Sequence, residues 1–208
     1  MSKDFQLIIP VAGPNYDFEK FNNHKLLIDI NDKKLVKWVQ VSRPYNLSDG
    51  IFIFQKRHNN KYDLVNKISK ILGKKIRYFI LNNYTAGAPQ SVLRIKNEID
   101  LKKPLFIDLL DQYIDFKNFF KFCLKNKFDG CVPIFQSLYF NRGYAKIDKQ
   151  KYITKISEKD PKPISTNSTA CVSYFREAKF FFENAELMIK KKILSSKGKY
   201  MILSLIHI

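Results

Sequence analysis

Cysteine is scarce in this 208-residue chain, with three residues in all. Cys123, Cys131 and Cys171 fit no zinc-ligand spacing, and an odd count argues against a disulfide framework. Buried thiols in a reducing cytosol are the expected state, so a cytoplasmic protein is expected. Histidine is equally sparse, and His24, His58 and His207 form no metal cluster in the sequence. Glycine (7) and proline (8) are few, and neither a low-complexity linker nor an internal repeat divides the chain. No apolar run approaches the ~20 residues needed to span a bilayer, so no membrane insertion is expected. Met1-Ser2-Lys3-Asp4 leads into a short apolar run that reads as a strand rather than a signal peptide. Acidic residues are also in deficit, 19 against 37 basic, for a net charge of +18. Such a balance ordinarily points to nucleic acid or an anionic membrane. Here the lysines are spread along the whole chain among Asn, Ile, Phe and Tyr, the mixture an AT-rich genome encodes. The charge therefore reads as compositional, helped by a need to hold phosphates, and nucleic acid is not the expected partner. A nucleic-acid binder would show a steep salt dependence on generic DNA.

What is present is a globular composition, 45% hydrophobic and 14% aromatic, in a length that suits one sizeable α/β domain. Phe5 to Ala12, Ile51 to Phe54, Ile76 to Leu81 and Leu105 to Leu110 are apolar runs that read as buried strands. Leu26 to Ile30 reads as a short extended piece. Between the strands, helical spacing appears at Leu35, Val36, Trp38 and Val39. It recurs at Leu64, Ile68, Ile71 and Leu72 before Gly73, over Ala88 to Ile99, and over Phe116 to Leu124. This alternation predicts an α/β fold with a mostly parallel central sheet and helices on both faces. After Gly130 the rhythm changes. Val132 to Phe135, Tyr144 to Ile147, Tyr152 to Ile156 and Ala170 to Phe175 read as strands joined by turns, and a helix follows from about Arg176 to Lys190. A single domain over 1–202 is expected, with a nucleotide-binding half of about 1–128 and a second half of about 129–202.

Two stretches read together as one nucleotide site. Thr85-Ala86-Gly87-Ala88-Pro89-Gln90-Ser91 is a glycine-bearing turn running into a helix. Leu105 to Leu110 is an apolar strand that delivers Asp111 to the carboxyl edge of the sheet, where open α/β sheets bind ligands. Asp111 there is a natural ligand for a hard divalent cation carrying phosphates. A plainer role for Asp111 is a helix N-cap, and Gly87 could simply begin a helix. Asp115 suits the cap better and reads as structural. Asp108 is unusual: alternation places it on the face of Phe106 and Leu110 inside a buried strand. A buried carboxylate needs a partner or a raised pKa, and pairing with Lys25 and assistance to a metal are both open.

The ordered set of motifs resembles the sugar-phosphate nucleotidyltransferases, the NDP-sugar pyrophosphorylases, which have a Rossmann-like GT-A nucleotidyltransferase fold. The resemblance runs from about Phe5 to Ile189. Ile8-Ile9-Pro10-Val11-Ala12-Gly13 is similar to the strand and turn opening the family's nucleotide loop. His24-Lys25-Leu26-Leu27 is similar to its Pro-Lys-Pro-Leu segment, Thr85 to Leu93 to its nucleobase turn, and Asp111-Gln112-Tyr113 to its metal-binding strand end. Glu158-Lys159 and Asn167 are similar to its sugar-phosphate side. The resemblance implies transfer of a nucleoside monophosphate from an NTP to a sugar 1-phosphate, with pyrophosphate leaving and no protein nucleophile. Catalysis of that kind is positioning and charge neutralisation. By resemblance, Asp111 would hold Mg²⁺ and Lys25 would contact the phosphates. Ala12, Gly13, Thr85, Gly87 and Ala88 would contact the nucleotide, while Glu158, Lys159 and Asn167 would grip the sugar phosphate. NTP and sugar phosphate are the implied partners, activated sugar for surface polysaccharide the implied setting, and a homo-oligomer is left open.

The chain departs from the family at Asp17, near an arginine position, at Leu110, where glycine commonly precedes the metal aspartate, and at Val172, where glycine is expected. The family also supplies a second metal-binding aspartate on a later strand that this chain does not reach. Leu203 to Ile208 equals one reading frame of a sequencing adaptor, so 203–208 is expected to be a non-native tail. The departures keep two alternatives in view: a GT-A glycosyltransferase acting on a finished nucleotide sugar, and a non-catalytic nucleotide-sugar binding module.

Overall fold

The computed structural model describes residues 4–139, 142–158, 162–195 and 197–207, without the side chains of Asp17, Ile206 and His207. The elements run in the order β1 (Gln6–Pro10), α1 (Tyr16–Glu19), β2 (Asp29–Ile30), β3 (Lys33–Lys34), α2 (Leu35–Ser42), β4 (Ile51–Gln55), α3 (Lys56–Tyr62) and α4 (Leu64–Leu72). There follow β5 (Arg77–Leu81), α5 (Ala88–Leu93), β6 (Leu105–Asp108), α6 (Lys117–Lys125), β7 (Gly130–Cys131) and β8 (Ile134–Gln136). The chain closes with β9 (Gly143–Ile147), β10 (Ile153–Glu158), β11 (Asn167–Thr169), β12 (Val172–Phe175), α7 (Ala178–Lys190) and α8 (Ile202–His207).

The main sheet has the order β5-β4-β1-β6-β12-β7. Its first four strands are parallel and β12 is antiparallel to both neighbours, so the expected mixed, mostly parallel sheet is present. Strand alternation divides the core. Leu7, Ile9, Phe52, Phe54 and Phe106 pack on one face with α2, α4 and α6 residues such as Val39, Ile68 and Cys123. Ile8, Ile51, Ile53, Leu105 and Ile107 pack on the other with Val92 of α5 and Phe181, Phe182 and Met188 of α7. Helices therefore cover both faces, as a parallel sheet requires. A smaller antiparallel sheet, β10-β9-β11-β8, stands beside the main one.

The structure corrects several boundaries. The strands expected at 132–135 and 170–175 are β8 (Ile134–Gln136) and β12 (Val172–Phe175), each preceded by a short strand of the other sheet, β7 and β11. β7 and β12 belong to the main sheet, β8 and β11 to the small one, and the chain crosses over where the Ala170 N–H donates to the Pro133 carbonyl (2.9 Å). Of the extended piece expected at 26–30, the first part is a 3₁₀ turn over Lys25–Leu27, with His24 Nδ1 accepting from the Leu26 N–H (3.4 Å), and Asp29–Ile30 is the short strand β2. The helix from Ala88 stops at Leu93, where Arg94 and Ile95 donate three residues back instead of four, and a second 3₁₀ turn covers Lys96–Glu98. Such bonds tighten and end a helical turn. Helix α3 was not expected, because just His58 and Tyr62 of its seven residues are buried, and that leaves no apolar stripe.

Candidate functional site

At the carboxyl edge of the main sheet, β1 has β4 on one side and β6 on the other, and the direction of chain progression reverses between them. Open α/β sheets bind ligands in the crevice that such a reversal leaves at the strands' carboxyl ends. A cleft of about 410 Å³ lies there. Ala12, Gly13 and Pro14 form its wall after β1, Thr85, Gly87 and Ala88 its wall before α5, and Glu158 and Thr169 its wall from the small sheet. Lys199 and Tyr200 close it from the segment between α7 and α8. A Cβ at Gly13 would meet nothing within 4 Å, so its backbone fronts open space.

The turn at 85–90 is braced by its own side chains. Gln90 Oε1 accepts from the Ala86 N–H (2.7 Å), and the Thr85 and Ser91 hydroxyls lie 2.6 Å apart. Gly87 has φ +145°, a region open to glycine and closed to L side chains. The Tyr200 N–H donates to the Ala86 carbonyl (2.8 Å), and a Cβ on Gly87 would fall 2.0 Å from the Tyr200 carbonyl oxygen. Glycine is required here for two reasons: backbone angle and the close passage of 199–201.

The wall after β6 is built around a buried ion pair. Asp108 is fully buried and takes both arms of Arg43, Nε at 2.6 Å and Nη2 at 3.1 Å. Tyr45 donates its hydroxyl to the same carboxylate (2.9 Å), as does the Leu110 N–H (3.0 Å). Arg43 also donates to the carbonyl of Gln112 (3.2 Å) and lies over the Phe116 ring at 4.4 Å. Burial alone disfavours the guanidinium charge, yet the hydrogen bonds and charge of Asp108 hold the Arg43 pKa above the ordinary arginine value. Burial and then the Asp108 charge push the Tyr45 phenol well up. Asp108 therefore pairs with Arg43, not Lys25, and both its oxygens are engaged. That corrects the expectation of a pairing with Lys25 or of assistance to a metal.

Asp111 lies three residues beyond the end of β6 and is exposed. Helix α6 starts at Lys117, so Asp111 is not its cap; Asp115 Oδ1 instead accepts from the Lys117 N–H (2.9 Å). The Cys171 thiol is pushed well above its ordinary value by burial first and then by the charges of Asp108 and Asp111, and Cys171 lines the cleft. Among the described residues, no group of three or more His, Cys, Asp and Glu could cage a metal. A single exposed carboxylate fits Mg²⁺ all the same, because that ion keeps several waters and is held through one or two carboxylates plus substrate phosphates.

Lys25 stands on the loop after β1, half-buried. Buried Asn15 ties that loop together, accepting from the Lys25 N–H (3.1 Å) and donating to the Asn23 carbonyl (2.8 Å). His24 is buried, and desolvation, followed by the charges of Lys25 and His58, lowers its pKa to about 3. It is a neutral structural histidine that shapes the turn carrying Lys25.

Ala12, Gly13, Thr85, Gly87, Ala88 and Glu158 thus line one cleft, though they come from three distant stretches of sequence. Lys25 and Asp111 are not in that lining. Asn167 lies at the start of β11, with its Oδ1 accepting from Gln136 Nε2 (2.8 Å). Lys159 and the side chain of Asp17 lie outside the described residues. Sequence reasoning missed Arg43, Asn15 and the Lys199–Tyr200 segment. For Arg43 there was one signal, the need of buried Asp108 for a cation; nothing in the sequence distinguished Asn15 among its neighbours.

No protein-family model matches the chain, and no curated protein matches it. Solved structures do. A nucleoside-diphosphate-sugar pyrophosphorylase from Vibrio cholerae superposes with a TM-score of 0.75 at 18% identity, over 96% of this chain and 85% of its own. A protein from Bacillus anthracis assigned as a glucose-1-phosphate thymidylyltransferase gives 0.73 at 18% identity, over 97% and 80%. A UDP-glucose pyrophosphorylase complexed with UDP-glucose gives 0.63 at 15% identity, over 88% and 79%. The fold of this chain is the sugar-phosphate nucleotidyltransferase fold.

Proposed function

We propose that this protein is a Mg²⁺-dependent nucleotidyltransferase that moves a nucleoside monophosphate from an NTP to a sugar 1-phosphate and releases pyrophosphate. The observation that carries the reading is convergence. Ala12, Gly13, Thr85, Gly87, Ala88 and Glu158, singled out by motif alone, meet at one cleft at the switch point of the sheet, in a fold shared with pyrophosphorylases of nucleotide sugars. In this reading the backbone at Ala12 and Gly13 approaches the phosphates, and the turn at Thr85 to Ala88 faces the base. Lys25 neutralises phosphate charge, and Glu158 with Lys159 and Asn167 orients the sugar phosphate. Asp111 would hold Mg²⁺, whose chemistry is to offset charge on the phosphates as the sugar phosphate oxygen attacks and pyrophosphate departs. Its setting is the supply of activated sugar for surface polysaccharide in the cytoplasm; among the described residues no helix is long and apolar enough to cross a membrane.

The test is pyrophosphate release from each of the four NTPs with Mg²⁺ and a panel of sugar 1-phosphates. Release that depends on both substrates and falls in Asp111→Ala supports the reading. A second reading, a nucleotide-sugar binding module, is favoured by one observation: the 199–201 segment is bonded directly across the Ala86–Gly87 turn and narrows the cleft. It expects a nucleotide sugar to raise the melting temperature with no pyrophosphate formed from any pair.

A further inference from the structure

Leu110 is a buried leucine in the left-handed region, φ +55°. A β-carbon makes that conformation costly, and glycine or asparagine ordinarily takes it. The residue immediately precedes Asp111, so its backbone angles set the direction in which Asp111 leaves the strand. Something must hold Leu110 there, and the surrounding bonds show what does. Asp108 Oδ1 accepts from the Leu110 N–H (3.0 Å), closing a turn of the Asx kind. Arg43 fixes that carboxylate with a two-armed grip and reaches past it to the Gln112 carbonyl (3.2 Å) and the Ile114 carbonyl (3.5 Å). Tyr45 holds the second oxygen of Asp108. One guanidinium thus ties together both ends of the segment in which Asp111 stands, from Asp108 to Ile114.

We propose that Arg43 is a positioning residue that, through Asp108, holds Leu110 left-handed and so fixes the direction in which Asp111 leaves the end of β6, beside the cleft-lining Cys171. The value of that direction rests on the metal role proposed for Asp111; the conformational part does not. Arg43→Lys keeps a positive charge beside Asp108 but lacks the planar fork that serves Asp108 and two carbonyls together.

A reporter for the segment is built in. Trp38, the single tryptophan of the chain, meets the ring of Tyr113 edge-on at 5.8 Å, and Tyr113 is 60% exposed. Acrylamide quenching of Trp38 therefore reads the segment without a ligand, and Mn²⁺ binding followed by electron paramagnetic resonance reads Asp111. In Arg43→Lys the quenching constant should rise about twofold and Mn²⁺ affinity should weaken about tenfold. In a Leu110→Gly background, where no left-handed penalty remains to be held, adding Arg43→Lys should change either quantity by less than about twofold. Wild-type quenching in folded Arg43→Lys, or an equal effect in the glycine background, overturns the proposal whatever happens to the melting temperature. If Arg43→Lys does not fold, Tyr45→Phe removes a single bond to Asp108 and should move quenching in the same direction by less; no movement overturns the proposal. Should Asp111→Ala bind Mn²⁺ as tightly as the wild type, the metal role fails, and the Trp38 comparison still decides what Arg43 does.

Discussion

Gly87 and Leu110 solve the same problem in opposite ways in the connections that follow β5 and β6. Both hold positive φ, +145° and +55°. At Gly87 the residue type itself supplies the conformation, and the absent side chain also leaves room for the Tyr200 backbone. At Leu110 the residue type opposes the conformation, and a buried salt bridge, a phenol and the surrounding core impose it. The first solution is local and visible in the sequence. The second is distributed over residues 65 positions apart and can be lost by changing a residue far from the turn in sequence. A glycine at 110 would remove the strain but also a fully buried leucine side chain, so the leucine serves the core while Arg43 and Asp108 serve the backbone.

Breaking the distributed solution should have the largest effect. Arg43→Ala leaves Asp108 buried without its cation, which costs roughly 3–5 kcal/mol. Urea unfolding should show that loss, and a double change, Arg43→Met with Asp108→Leu, should recover much of it, because apolar replacement of a buried pair is often tolerated. Recovery of stability without recovery of Trp38 quenching would separate the pair's role in the core from its role at Leu110. Breaking the local solution comes next. Gly87→Ala combines a forbidden angle with a 2.0 Å approach to the Tyr200 oxygen, for a cost of about 3 kcal/mol. Hydrogen exchange should show the Tyr200 amide, bonded to Ala86, losing protection before the core strands do.

The same contrast explains what could be read in advance. The α/β class, the parallel strands and their two-sided burial follow from the apolar runs at β1, β4 and β6, where each residue must face one helix layer or the other. The turn at Gly87 was legible because the angle it adopts, φ +145°, is carried by the residue's own identity. Arg43 was not, since one arginine among 37 basic residues carries no mark of burial until the sheet brings α2 against the end of β6. The change of sheet between β7 and β8, and again between β11 and β12, escaped as well. Periodicity records which residues are inward, not which sheet they are inward to.

A third turn, the one bearing Lys25, extends the comparison through pH. His24 shapes it by accepting from the Leu26 N–H, a role open to a neutral ring, and burial lowers its pKa from 6.5 to about 3. The folded value lies below the unfolded one, so as pH falls through 6.5 the unfolded chain takes up a proton that the native chain refuses. The stabilisation is whole above about pH 7 and shrinks continuously toward pH 3. From pH 7 to pH 5 the loss should be about 2 kcal/mol, measured as a drop in urea midpoint. His24→Asn keeps an acceptor that does not titrate, and its stability should vary correspondingly less over that interval. An unchanged pH slope in that variant would assign the slope to other groups.

The smallest effect on stability should come from the glycine that most resembles Gly87 in the sequence. Gly13 also follows a strand and lines the cleft, but its φ is not in the left-handed range and an added Cβ meets nothing within 4 Å. Gly13→Ala should therefore change unfolding free energy by no more than about 0.5 kcal/mol. If nucleotide phosphates lie against the 12–13 backbone, the same methyl group would stand between backbone and ligand, and nucleotide affinity measured by calorimetry should fall about tenfold, equivalent to about 1.4 kcal/mol. Two glycines in similar sequence contexts would then separate cleanly, one needed by the fold and one by the ligand. A Gly13→Ala protein that binds nucleotide as well as the wild type would move the phosphates away from this wall and toward the Lys199 side of the cleft.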